Sequence, residues 1–325
     1  MKHENVVMID DRGIPSIMVR FEKPSGAAVP PMFHIGGNEV DAIYISKYPN
    51  KVINGKAYSL PMVDPTTNIT FDEALAVCRA KGSGWHLMTA IEWEYLLDES
   101  RKLGTIPHGN TDWGKDYYEK DEKGITDGAS YGRTLTGSGP VTWNHDHTEY
   151  GVSDMCGEVW EWLAGLRLNN GIIEFIANND AAMHGIDLSA DSKEWKRVNI
   201  NGNPARFIVE DGGISISADD TEREPDYDGV PWEDLEVEDI KAMPDILAML
   251  GLIPKFSEKA GKREKQAYVW IDTEGERLPV RGSGFNFSSN SGPSALYLDD
   301  VRSGSFGYLG FRSAFYEVNG KLITE

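Results

Sequence analysis

Apolar residues recur three and four positions apart in two stretches of the first third of this chain, and the same device opens each. In TFDEALAVCRAKG (70–82), Phe71, Ala74, Leu75 and Cys78 share one helical face, Thr70 and Glu73 stand at capping-box spacing, and Gly82 ends the run. In TAIEWEYLLDESRKLG (89–104) the box repeats as Thr89 and Glu92, with Ile91, Tyr95 and Leu96 as the apolar stripe and Gly104 as the stop. Two amphipathic helices are therefore expected, with Cys78 a small core hydrophobe on the first. Elsewhere the pattern shortens to strand-like runs: AIYISKYP (42–49), GIIEFIA (171–177), RFIVE (206–210), AYVWIDTEG (267–275) and LGFRSAFYEVNGKLI (309–323). The last is read as two strands around a turn at Asn319-Gly320. No repeat of fixed period and no strand-helix-strand alternation appears, which excludes solenoids and doubly wound sheets. The class read from this pattern is α+β, with modest sheet content and many irregular connections.

Composition narrows the function classes. Among 325 residues, 32 Lys and Arg oppose 52 Asp and Glu, a net charge of -20, and no basic cluster exists to grip nucleic acid or anionic lipid. A 40% hydrophobic content with nine Trp is enough for a packed core, and no apolar run is long enough for membrane insertion. The first residues, MKHENVVMIDDRG, carry acids where a signal peptide has an apolar stretch, so synthesis without export by that route is expected. Two cysteines, Cys78 and Cys156, make no disulfide framework. The acidic excess is local: residues 210–240 hold 13 Asp or Glu against one Arg. This reads as a solvated loop within an acidic insertion at about 195–265, followed by a short helix broken or kinked at Pro244 and ended by Gly251 and Pro254.

Chemistry-bearing motifs are few. There is no glycine-rich phosphate loop and no nucleophile elbow. His145 and His147, flanked by Asp146 and Glu149, are the clustered ligand types; on a strand both imidazoles would share a side, whereas a polar surface loop accounts for the same residues. In GVSDMCGEVWEWLAG, Asp154, Glu158 and Glu161 are candidate ligands of a structural calcium ion, or carboxylates that bind backbone amides around buried tryptophans. The least ordinary stretch is 281–312, with six Gly, seven Ser and six aromatics in 32 residues and no Lys. Such a mixture makes poor core, because its hydroxyls go unpaired when buried, but it suits recognition: aromatics give contact area and Ser, Gly and Asn adaptable hydrogen bonds. The alternative is an exposed loop around a few packed rings.

Three landmarks, WHLMTAIEWEYL, then YGVSDMCGEVWEWLAG, then VRGSGF followed by LGFRSAF, resemble the formylglycine-generating-enzyme and sulfatase-modifying-factor family. The resemblance spans roughly residues 35–317 and implies a C-type-lectin fold with two helices, short antiparallel strands and many irregular loops. The chain is expected to divide into an N-terminal segment, 1–31, for attachment or oligomerisation if it is a virion component, and a lectin-like domain, 32–325. The departures bear on activity. The family's oxidising enzymes use a cysteine pair near the Arg281 strand, and no cysteine follows Cys156; no His-rich helical domain precedes Met32; and Gly157-Glu158 stands where the family has Gly-Asn.

The C-terminal stretch is similar to the variable proteins of diversity-generating retroelements, a binding branch of this fold. That likeness assigns Arg281, Gly282, Gly292, Arg302, Gly310, Phe311 and Arg312 to the scaffold, with Leu296, Leu298, Ser303 and Ser305. It assigns Gly284, Phe287, Ser289, Asn290, Ser294, Tyr297, Asp299, Asp300, Gly304, Phe306, Gly307 and Tyr308 to diversified, ligand-binding positions. The implied function is non-enzymatic recognition of a protein or glycan on a bacterial surface, by a chain carried on a phage virion or displayed on a bacterium, with homo-oligomer formation open. No cofactor is implied beyond the calcium candidate. Two alternatives stand beside it: a metal-dependent enzyme centred on His145, His147 and Glu149, and a tail or surface domain with one fixed partner.

Overall fold

The computed structural model describes residues 3–26, 28–126, 128, 132–210, 212–218, 221, 223–238, 243–256 and 261–317. Along the chain run β1 (His3–Ile9), β2 (Pro15–Glu22), β3 (Ala42–Ser46), α1 (Phe71–Arg79), β4 (Trp85–Leu87), α2 (Ala90–Leu103), β5 (Trp160–Trp162), β6 (Leu166–Asn169) and β7 (Ile172–Phe175). There follow β8 (Asn203–Glu210), β9 (Gly213–Ala218), β10 (Tyr227–Pro231), β11 (Glu236–Val237), α3 (Asp245–Met249), α4 (Lys262–Lys265), β12 (Tyr268–Asp272), β13 (Glu276–Arg281), β14 (Leu296–Asp300), β15 (Leu309–Phe311) and β16 (Ser313–Glu317).

Both expected helices form as their caps dictate. Thr70 and Thr89 each accept the N–H of the residue three on while Glu73 and Glu92 reach back to the cap N–H, closing two complete capping boxes. Gly104 ends α2 in the left-handed region at φ 73°. Phe71, Ala74 and Cys78 are buried on α1, and Ile91, Trp93, Leu96 and Leu97 on α2.

Two large sheets carry most of the rest, beside two short hairpins, His34–Ile35 with Asn38–Glu39 and Lys51–Ile53 with Lys56–Tyr58. The first, of five strands, runs β1-β2-β3-β16-β4, so the start and the end of the described chain meet in it and the N-terminal segment supplies two of its strands. The second has thirteen strands, with main path β10-β12-β14-β13-β6-β7-β8-β9-β11, and β5 joins it by pairing with β13 and with β15. Sheet content thus exceeds the modest share expected, because many strands are only two to five residues long and leave little periodicity to read. The turn expected at Asn319-Gly320 lies outside the described residues.

The acidic stretch also differs from the expected solvated loop. Val230, Trp232 and Leu235 are buried among its acids, β8 and β9 form a hairpin, and β10 pairs with β12 over five residues. Scattered apolar anchors thus override a hydrophilic average. Pro244 caps α3 rather than breaking it, and Leu247, Leu250 and Leu252 behind it are fully buried in the main core cluster.

Candidate functional site

The edge of the larger sheet sorts its side chains by strand alternation. On β12, Val269 and Ile271 point into the core while Tyr268, Trp270 and Asp272 are partly exposed; on β14, Leu296 and Leu298 point in while Tyr297 and Asp299 do not. The parallel pairing of these strands sets Trp270 beside Tyr297. On the other flank Gly229 of β10 lies opposite Trp270, and a Cβ there would stand 2.4 Å from the indole, so only glycine lets that ring lie over the edge strand.

A continuous line of rings results. Tyr227 stacks on Trp270 at 5.6 Å, Trp270 meets Tyr297 at 5.7 Å, and Tyr297 lies on Trp160 at 4.0 Å. Phe287 stands edge-on to Trp160 at 5.2 Å and to Tyr308 at 6.4 Å, and Tyr308 stacks on Phe306 at 5.4 Å and 6°. The line begins and ends in exposed rings, Tyr227 (50% exposed) and Phe306 (41%), and is floored by Trp160 (1%). Aromatic contacts of this kind add about 0.5–1.5 kcal/mol each beyond burial, enough to hold the rings without freezing them.

Three arginines pin the loops that carry this line. Arg281, fully buried, donates to the carbonyls of Ser294 (3.0 Å) and Gly251 (2.6 Å), tying the stretch to the end of α3; burial pushes its guanidinium down to about 10. Arg302 grips both carboxylate oxygens of Glu276 (3.0 and 2.8 Å) and reaches Asp72 and the Leu188 carbonyl. Arg312 grips Glu161 at 2.6 and 2.5 Å with both partners fully buried. The glycines between them permit close approach. Gly282 has φ 93° and faces the Met155 carbonyl and the Trp93 ring, and a Cβ on Gly292 would stand 2.5 Å from the Arg263 carbonyl oxygen.

The twelve positions expected to vary are distributed unevenly over this frame. Phe306 and Gly307 are exposed; Phe287, Ser289, Asn290, Tyr297, Asp299, Asp300 and Tyr308 are partly exposed; Gly284, Ser294 and Gly304 are buried. Gly284 borders the face from below, since a Cβ there would touch Phe287 and Trp160 at 3.3–3.4 Å. Asp299 and Asp300 are largely covered. Burial, with Asp300 as the next contribution, pushes Asp299 up to about 7; burial pushes Asp300 up to about 6 against the pull of Arg277.

The calcium candidates do not converge. Asp154 accepts the Gly137 N–H (2.7 Å), Glu158 accepts from Asn110 and from the N–H and hydroxyl of Thr134, and Glu161 is taken by Arg312. Burial pushes Asp154 up to about 6 and Glu158 up to about 8. Among the described residues these three carboxyls do not bring their ligand atoms within 4.8 Å of one another, and each is engaged by a separate protein donor, which is not a shared calcium shell. The other reading of these residues, carboxylates bound to backbone and side-chain donors around buried tryptophans, is what the geometry shows.

His145 and His147 diverge as well, because the segment is a turn and not a strand, with His147 in the left-handed region at φ 55°. His147 points to the Ile106 carbonyl and His108, while His145 is buried beside His3 and Asp146. Among the described residues, His3, His145 and Asp146 are the one trio of such side chains with ligand atoms within 4.8 Å of one another. Yet His145 Nδ1 accepts the Val152 N–H (2.8 Å), which leaves the ring proton on Nε2, and Asp146 is engaged by His3 and Thr148. Burial pushes His145 down to about 4 and the two cysteine thiols up, Cys156 to about 12.

Sequence reasoning missed Tyr227, Tyr268, Trp270 and Trp113. The first lies in the acidic stretch taken for a loop, and the alternation of Tyr268, Trp270 and Asp272 was the available signal. Trp113, 57% exposed, packs on Phe285 at 5.0 Å.

Comparison with known proteins gives three findings. Residues 46–207 match the family model of the sulfatase-modifying factor enzyme 1-like domain, so the 281–312 stretch lies beyond the matched segment. No curated protein sequence matches the chain significantly. Among solved structures, the chain is similar to PvdO from Pseudomonas aeruginosa at 13% identity and TM-score 0.40, covering 98% of this chain and 100% of that one. It is also similar to the P3c variant of Major Tropism Determinant at 12% identity and TM-score 0.34, covering 94% of this chain and 58% of that one. The U1 variant of the same protein gives 11% identity and TM-score 0.29, with 98% and 74% covered. The architecture has few helices and many strands in curled sheets, in line with the mixed α+β class read from the sequence.

Proposed function

We propose that this chain, whose residues 46–207 match the sulfatase-modifying factor enzyme 1-like domain, uses its scaffold to bind rather than to catalyse, and that the line of rings from Tyr227 to Phe306 is its recognition face. The single observation that supports the reading most is the split within 281–312. Arg281, Arg302 and Arg312 are tied into the frame by named bonds, while Phe287, Tyr297, Phe306 and Tyr308 project along one partly exposed line. Side chains on such a face change without unfolding the frame, which is what retroelement diversification requires. The target is a protein or glycan on a bacterial surface, and the chain acts from a phage virion or a displaying cell. The buried, proton-retaining thiols add support, since neither is placed as a nucleophile.

Labelled protein added to bacteria of the source community tests this reading. Phe306→Ala and Tyr308→Ala are expected to lower adsorption at least about tenfold with unchanged melting, as anchor truncations do. Adsorption unaffected by both substitutions, and by Phe287→Ala, would sink the reading.

A further inference from the structure

The acids at the sheet edge are paired wherever a cation is available: Arg277 of β13 is held by Asp272 at 2.6 Å and approached by Glu274 at 3.6 Å. Asp299 and Asp300 differ. Neither forms an ion pair among the described residues, although both are largely covered, and Oδ1 of Asp299 is shielded from solvent with no hydrogen-bond partner. Around them stand Asp228, Asp272 and Tyr227 on the edge strands, with Arg277 the nearby cation, already engaged.

Two more unfinished polar atoms lie under the same face. The indole N–H groups of Trp160 and Trp270 are buried without an acceptor, and Trp160, 1% exposed, packs its Cδ1 edge near Gly284 and Phe287. Unpartnered buried atoms also occur elsewhere among the described residues, and what sets this face apart is that its two carboxylates, Asp299 and Asp300, have no ion-pair partner beside exposed rings. The rings themselves favour a cation: Tyr227 and Trp270 present stacked π-faces at the rim, and the strand carrying Tyr227 belongs to the stretch with 13 acids against one Arg.

We propose that the partner is a basic polypeptide segment, which lays an arginine or lysine side chain over Tyr227 and Trp270 beside Asp299 and Asp300. This rests on the recognition reading above and names the chemistry of its target: a protein with an exposed cationic segment, not a neutral glycan. Burial and the neighbouring Asp300 hold the Asp299 carboxyl above the ordinary carboxylate range, which a cationic partner would reverse.

A nonapeptide of alternating arginine and tyrosine, its citrulline counterpart of the same shape without charge, and its glutamate counterpart are the probes, read by fluorescence anisotropy. The arginine peptide is expected to bind at least about tenfold tighter than the citrulline peptide, and Asp299→Asn to remove that difference. Asp300→Asn, a second near-isosteric variant, is expected to act in the same direction. Glu194→Gln makes the same change in net charge at an exposed position and is expected to leave binding unchanged. Equal affinity for the arginine and citrulline peptides overturns the inference, as does equal loss in Glu194→Gln, which signifies diffuse attraction to an acidic protein. In either case the recognition reading survives if Tyr308→Ala weakens all bound peptides. It fails together with the inference if no face variant alters any binding.

Discussion

The ring of Tyr297 rests 4.0 Å from that of Trp160, tilted by 32°, so a partly exposed residue of the outer face lies directly on a residue of the core. Stability and recognition therefore part company at this contact. Trp160→Ala is expected to cost about 3–5 kcal/mol, the range for emptying a large buried aromatic site. Phe306→Ala, at the exposed end of the same line, is expected to stay within about 0.5 kcal/mol. Urea unfolding of both variants checks the contrast, and comparable losses would mean the face is part of the core.

The Arg312–Glu161 pair holds β5 to the segment that leads into β16 with both charges out of solvent. Removing one partner leaves the other buried and uncompensated, so Glu161→Gln and Arg312→Met are each expected to destabilise by about 3–5 kcal/mol. Replacing both together is expected to cost less than the sum of the two. An additive double mutant would show that the pair is not coupled.

Glu158 gives the protein a pH dependence of definite sign. Its carboxyl is raised from 4.5 to about 8, so between those values the folded state binds more protons than the unfolded one. Stability from this group is therefore full below pH 4.5 and is lost as pH rises toward about 8. Asp154, raised to about 6, acts in the same direction over a lower window. Thermal melts of Glu158→Gln from pH 5 to pH 8 are expected to fall less steeply than wild type. An unchanged slope would place the proton elsewhere.

Because Asp154, Glu158 and Glu161 are committed to separate protein donors, millimolar calcium or EDTA is expected to move the melting temperature by less than about 1 °C. A calcium-dependent rise of several degrees that vanishes in Glu158→Gln would contradict this.

Legibility in the sequence tracked how local each signal is. The capping boxes at Thr70 and Thr89 are written within four residues and were readable outright. The scaffold arginines were recognisable by spacing, but their partners were not, since Glu276, Glu161 and Gly251 lie 26, 151 and 30 residues away. His145 and His147 misled because side-sharing assumes a strand, and a left-handed residue at 147 turns the second ring away. Trp270 went unnoticed as a site residue because its role depends on Gly229, a neighbour on the adjoining strand that only the folded sheet supplies.

The central claim is that a fixed frame carries a changeable face, and sequencing the codons for residues 281–312 across many independent isolates tests it most directly. The account predicts substitutions at Phe287, Ser289, Asn290, Tyr297, Asp299, Asp300, Phe306, Gly307 and Tyr308, with only small residues at the buried Gly284, Ser294 and Gly304. It predicts that Arg281, Gly282, Gly292, Arg302, Gly310, Phe311 and Arg312 stay unchanged. An invariant stretch, or changes spread evenly over face and frame, would contradict it.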